Sequence, residues 1–162
     1  MSNIILVKHK EYDEFLQIYN IYKNNNLYLI KTPIIKIKDY DRIYGYLLLN
    51  SNITFYDFLQ NKDKEFNSFK FKKKWGFIKK YYIPIINNSS FNIYIPDIKN
   101  TKGEQINLKI YNNNHEEIKI DTFENIYDLL INKSVKFVIN PIFFVKNYEY
   151  KVVFRVIIIY LL

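Results

Sequence analysis

Six lysines and seven aromatic rings fall within residues 66–82, with no acid among them. The run reads Phe-Asn-Ser-Phe-Lys-Phe-Lys-Lys-Lys-Trp-Gly-Phe-Ile-Lys-Lys-Tyr-Tyr and holds the chain's one tryptophan, Trp75. Flat rings stack on unpaired bases and ammonium groups neutralise phosphates, so a groove offering both can hold single-stranded nucleic acid. Phe69, Lys70, Phe71 and Lys72 alternate with the two-residue period of a strand, which would send both rings to one face and both charges to the other. Trp75, Phe77 and Tyr81 continue the row of candidate stacking rings. Lys70, Lys72, Lys73, Lys74, Lys79 and Lys80 are the candidate phosphate contacts, and Tyr40, Arg42 and Tyr44 a candidate second edge of the groove. The competing reading of the same pattern is a core-facing aromatic row behind a solvated lysine face.

The charge is local. The 162-residue chain carries a net +8, and residues 61–82 hold eight lysines against Asp63 and Glu65, a net +6. A cluster of this kind points to a polyanion more directly than a diffuse excess does. The abundance of Asn, Ile, Lys and Tyr fits A+T-rich coding, which accounts for the numbers of lysines and rings but not for their concentration in one stretch.

Other chemistries find no residues to carry them. There is no cysteine, which removes disulfides, thiolate metal sites and thiol nucleophiles. Three glycines and no Gly-x-x-x-x-Gly-Lys loop argue against phosphate-loop nucleotide chemistry. His9 and His115 stand alone, without metal-ligand spacing. His115-Glu116-Glu117 reads as a solvated turn, and Asp39 and Asp41 as a polar loop beside Arg42 rather than half of a nuclease site. No serine sits in a nucleophile elbow. The chain is therefore expected not to be an enzyme and to need no metal or cofactor. The first residues lack a basic segment followed by a long apolar one, and the seven apolar residues 156–162 fall far short of the roughly 20 of a membrane helix. A soluble, intracellular protein without a membrane partner is expected.

The elements that must position the basic run read as follows. Residues 3–8 suggest a strand. Residues 11–22 fit either a helix face or a strand, and the turn-forming Asn24, Asn25 and Asn26 favour a hairpin leading into residues 27–30. Beyond Pro33, residues 34–38 alternate as an edge-like strand, and residues 43–49 read as a buried strand. Residues 51–54 can cap a helix running to about Phe66. Residues 91–95 read as a strand, and residues 106–111 and 117–120 as a hairpin across three asparagines. Asp121 and Thr122 can cap a helix of about ten residues. Residues 135–145 and 150–162 make two long strands, with Pro141 expected at a bulge. Many strands, few helices and short turns imply one mainly-β domain over residues 1–162, an antiparallel barrel or sandwich. An OB-fold-like barrel with two short helices is the small barrel best suited to single strands.

Four segments, in order, resemble the OB-fold single-stranded-DNA-binding proteins of large eukaryotic double-stranded DNA viruses. They are the strand and Thr-Pro of residues 26–33, the helix of residues 53–59, the helix of residues 121–130, and the two long strands of residues 130–160. Lys133 stands where that family's pattern has a glycine before Ser134, and the glycine usual before the last strand is missing from residues 147–152. The resemblance implies a protein that protects exposed strands during viral DNA replication or repair, at the viral replication site or in host cytoplasm. Single-stranded DNA is the implied partner, with RNA next. Homo-oligomerisation is open, and no acidic tail of the kind that recruits replication partners follows Leu162. The alternative is a structural or assembly protein of a virus particle with an aromatic self-association surface.

Overall fold

The computed structural model describes residues 4–11, 16–41, 46–50, 52–86, 92–94, 108–119 and 123–162. Its spine is a pair of long antiparallel strands, β11 (Ser134–Val145) and β12 (Glu149–Leu161), joined by a tight turn. Inward residues Val135, Phe137, Ile139 and Phe143 of β11, with Tyr150, Val152, Phe154 and Val156 of β12, are buried. β12 carries the period-2 pattern of a strand with one face on a core, whereas β11 is buried on both faces from Phe137 to Phe143. The free side of β11 takes three partners in turn: β2 (Gln17–Lys23), β4 (Ile30–Lys31) and β5 (Ile35–Asp41). The free side of β12 takes β7 (Tyr81–Ile83) and β9 (Lys109–Tyr111), both parallel.

The remaining strands hang from these. β1 (Ile4–Glu11) and β3 (Asn26–Leu27) flank β2, and β10 (Glu117–Ile118) pairs β9. β6 (Tyr46–Leu49) pairs β5, and β8 (Asn92–Tyr94) pairs β6. The path β10-β9-β12-β11-β5-β6-β8 turns back towards β12, but among the described residues no ladder joins β8 to β12. The fold is mainly β as expected, yet the sheet is open rather than a closed barrel.

Three helices, not two, complete the described chain: α1 (Ile53–Asn67), α2 (Phe69–Lys74) and α3 (Phe123–Leu130). α1 starts where the sequence places it. The Asn52 side chain accepts from the Phe55 N–H at 3.1 Å, and Phe55, Leu59 and Phe66 form its buried stripe. The hairpin at Asn24 and Asn25 is also as read, with both residues at positive φ, which a two-residue turn demands and asparagine tolerates. Residues 34–38 alternate as expected, but β5 is not an edge, since it pairs both β6 and β11. The bulge in β11 lies between Val138 and Ile139, not at Pro141. Pro141 falls where β11 passes from β4 to β2, in the gap between those two ladders.

Three tyrosine hydroxyls stitch the elements together. Tyr28 donates to Glu65 at 3.4 Å, Tyr82 to Asp63 at 2.6 Å, and Tyr150 to the Phe66 carbonyl at the end of α1. Burial pushes Tyr28 up to about 12, with Glu65 adding to it. Burial, then the hydrogen bond to Asp63, raises Tyr82 further, and burial raises Tyr150. In the unfolded chain each phenol ionises near the ordinary pKa of about 10. Above that pH, unfolding releases protons, so the stability these groups contribute is complete below pH ~10 and is lost as pH climbs toward the folded values. The urea midpoint is therefore expected to fall steadily from pH 10 to 12. A midpoint level to pH 12 would contradict the three seams.

Candidate nucleic-acid interface

Ser68 makes the local geometry of the basic run. It ends α1, its N–H donating to the Glu65 carbonyl, and it begins α2, its Oγ accepting from the Phe71 N–H at 3.3 Å. The run Phe69–Lys72 is thus helical, not a strand. On a helix, residues two apart lie on roughly opposite faces, so the two rings part. Phe71 turns inward against Phe66 and Phe143, with centroids at 5.3 Å to each, while Phe69 points out and is 65% exposed. Trp75, four residues after Phe71, shares its inner face. The two rings meet edge to face at 3.9 Å, and Lys74 lies over the indole at 5.6 Å.

The helix stops at Gly76, whose φ of +72° suits a residue without Cβ. The Phe77 N–H returns to the Lys72 carbonyl at 2.7 Å and the Gly76 N–H to Lys73, a paired closure that satisfies the last carbonyls. This drives Phe77 into the core, 6% exposed, 4.9 Å from the Tyr150 ring. Phe77 is therefore no stacking residue. Phe71 and Trp75 are half-buried packing rings that hold α2 down.

Beyond Gly76 the chain reaches the turn of the β11–β12 ribbon. Lys80 Nζ donates to the carbonyls of Lys146 at 3.1 Å and Asn147 at 2.9 Å, and the Tyr81 N–H donates to the Tyr148 carbonyl at 2.8 Å. Lys80 is thus a bolt between the two segments rather than a free phosphate contact. The result places Tyr81 and Tyr148 at one rim, each 78% exposed. Beside them is a recess of about 270 Å³ lined by Lys72, Ile78, Lys79, Lys80 and Tyr81. Lys70, Lys73, Lys74 and Lys79 are exposed and Lys72 half so. None of these five has a carboxylate partner among the described residues.

Of the rings named from the sequence, Phe69 and Tyr81 are available for stacking. Tyr40 is stacked on Tyr127 of α3 at 3.9 Å, so one of its faces is taken. Arg42 and Tyr44 lie outside the described residues. Tyr148 was not signalled by the sequence pattern. The one hint is an aromatic residue set in a polar turn, where burial is not available to it. His115 is exposed in the β9–β10 turn, at positive φ.

No family model matches the chain, and no curated protein matches it. Among solved structures it is similar to a C-terminally truncated single-stranded DNA-binding protein from bacteriophage Enc34. The identity is 10%, 96% of this chain and 94% of that chain are covered, and the TM-score is 0.43. The overlap is long and shallow, and it is with a phage protein rather than with the eukaryotic virus family that the sequence segments resemble.

Proposed function

We propose that this chain binds single-stranded DNA with little sequence preference and protects exposed strands during viral DNA replication or repair. The observation that carries the reading is the rim at the ribbon turn, where the exposed rings of Tyr81 and Tyr148 stand beside Lys72 and Lys79, neither of which has a carboxylate partner among the described residues. Every base has a face to stack, so rings of this kind hold a strand whatever its sequence. A duplex keeps its bases stacked on each other and offers only phosphates.

The test is anisotropy of labelled oligo-dT, duplex and oligo-rU across a salt series. If a bound strand meets all five of Lys70, Lys72, Lys73, Lys74 and Lys79, the slope of log K against log salt is about −3 to −4 for single strands, and each Lys→Gln change at Lys70, Lys73, Lys74 or Lys79 should reduce it by about 0.7. Duplex should bind more weakly than oligo-dT at every salt concentration. Equal affinity for duplex, or no binding at low salt, would end this reading; equal affinity for oligo-rU would extend it to RNA.

One observation favours the alternative of a self-associating particle subunit. β1 shows Ile5 at 40% and Val7 at 46% exposure, and its outer edge has no strand partner among the described residues. An unpaired edge of this kind is a template for a second chain. On that reading oligomers form with rising concentration and DNA affinity is weak and erased by modest salt.

A further inference from the structure

The outward side chains at the opposite end of the β11–β12 ribbon form a second cationic and aromatic recess. Lys136 lies opposite Tyr160 in the ladder, and Tyr160 in turn lies beside Tyr111 of β9. The two phenol rings stack at 5.5 Å and 22°, which fixes the plane of Tyr160. Lys31 of β4 is paired with Val138, two residues along β11 from Lys136. The two lysines are thus diagonal neighbours on one face, with Cβ atoms about 7–8 Å apart. The β9–β10 turn forms the wall. There the Asn112 side chain accepts from the Asn114 and Glu116 N–H groups at 2.9 and 3.0 Å, and His115 stands at the rim.

The recess encloses about 500 Å³, within the range of small-molecule sites. Its lining includes the apolar Val138, which shares the face of Lys136. Both lysines are exposed and neither has a carboxylate partner among the described residues. Glu116, the nearby acid on the turn, is engaged by Asn112 at 3.2 Å. A flat ring held rigid, two free ammonium groups and an apolar side chain fit one nucleotide, its base on Tyr160 and its phosphate between Lys31 and Lys136.

We propose that this recess takes a nucleotide of the same strand that is gripped at Tyr81 and Tyr148, so that the strand runs the length of the ribbon. The proposal rests on the single-strand reading above. The ten residue steps from Lys136 to Lys146 span about 33 Å, so a short oligonucleotide reaches one site and a longer one reaches both.

The experiment compares oligo-dT of about 4 and about 16 nucleotides, the limits for one domain of this kind, on the full chain and on a Lys31→Glu, Lys136→Glu double variant. Both lysines are exposed, so the fold should survive, which circular dichroism checks. The expected result is a loss of tenfold or more for the long strand and a salt slope shallower by about 1.4, with little change for the short one. If both strands keep the parent's affinity and slope, or both weaken equally, the recess is not a distinct contact. In those cases the ribbon-turn reading still stands as long as the parent binds oligo-dT. If the parent binds neither strand, both readings fall together.

Discussion

Replacing Tyr81 and Tyr148 together by alanine is expected to weaken oligo-dT binding by roughly a hundredfold or more, because each stacked base contributes about 1–3 kcal/mol. Both rings are 78% exposed, and neither hydroxyl has a hydrogen-bond partner among the described residues. What joins the two segments is backbone and Lys80: the Tyr81 N–H to the Tyr148 carbonyl, and Nζ to the turn carbonyls. Alanine keeps all of these, so the unfolding midpoint should not move. That separation makes the result informative, since affinity would be lost from a protein whose core is untouched. Phe69→Ala, on the outer face of α2, should cost about tenfold by the same reasoning. An intact double variant that binds like the parent would remove the ribbon turn as the site and leave only lysines to account for any affinity.

How far this site could be read from the chain depends on which neighbours decide each residue's face. The helix at Asn52 and the turn at Asn24–Asn25 were legible because capping and positive φ are local demands that particular side chains meet. The two long strands were legible because β-branched and aromatic residues run on for longer than any turn signal interrupts them. The misreading of Phe69–Lys72 came from giving alternation more weight than the helix signals on either side of it. Ser68 before the run, lysines in its last turn and Gly76 after it are a start and a stop for a helix, and once α2 is helical the two phenylalanines must part. Tyr148 and the Lys31–Lys136–Tyr160 recess were out of reach for another reason. Lys31 and Lys136 are 105 positions apart in the chain, and only the register of β4 on β11 makes them neighbours. Closure of the sheet is of the same kind: it turns on whether β8 pairs with β12, which no strand's own pattern specifies.

Phe143→Ala should be the most damaging single change, and its effect should reach the site without touching it. The ring is fully buried and meets Phe66, Phe71, Trp75, Phe77 and Tyr150 at centroid distances of 5.3–6.1 Å. Truncating a buried phenylalanine costs about 3–5 kcal/mol, the transfer of the ring plus the cavity left behind. Domains are stable by only about 5–15 kcal/mol, so a large share of the total would go. The loss falls where function is anchored. α2 has six residues, too few to persist alone, and Phe71 and Trp75 hold it down against this ring. With the ring gone the indole gains access to water, so Trp75 emission should shift to the red before global unfolding, and oligo-dT affinity should fall along with that shift. Phe143→Leu, which keeps much of the volume, should lie between alanine and the parent in both readouts. A variant that unfolds within about 1 kcal/mol of the parent, with unchanged Trp75 emission, would mean that α2 is held by something other than this cluster of rings.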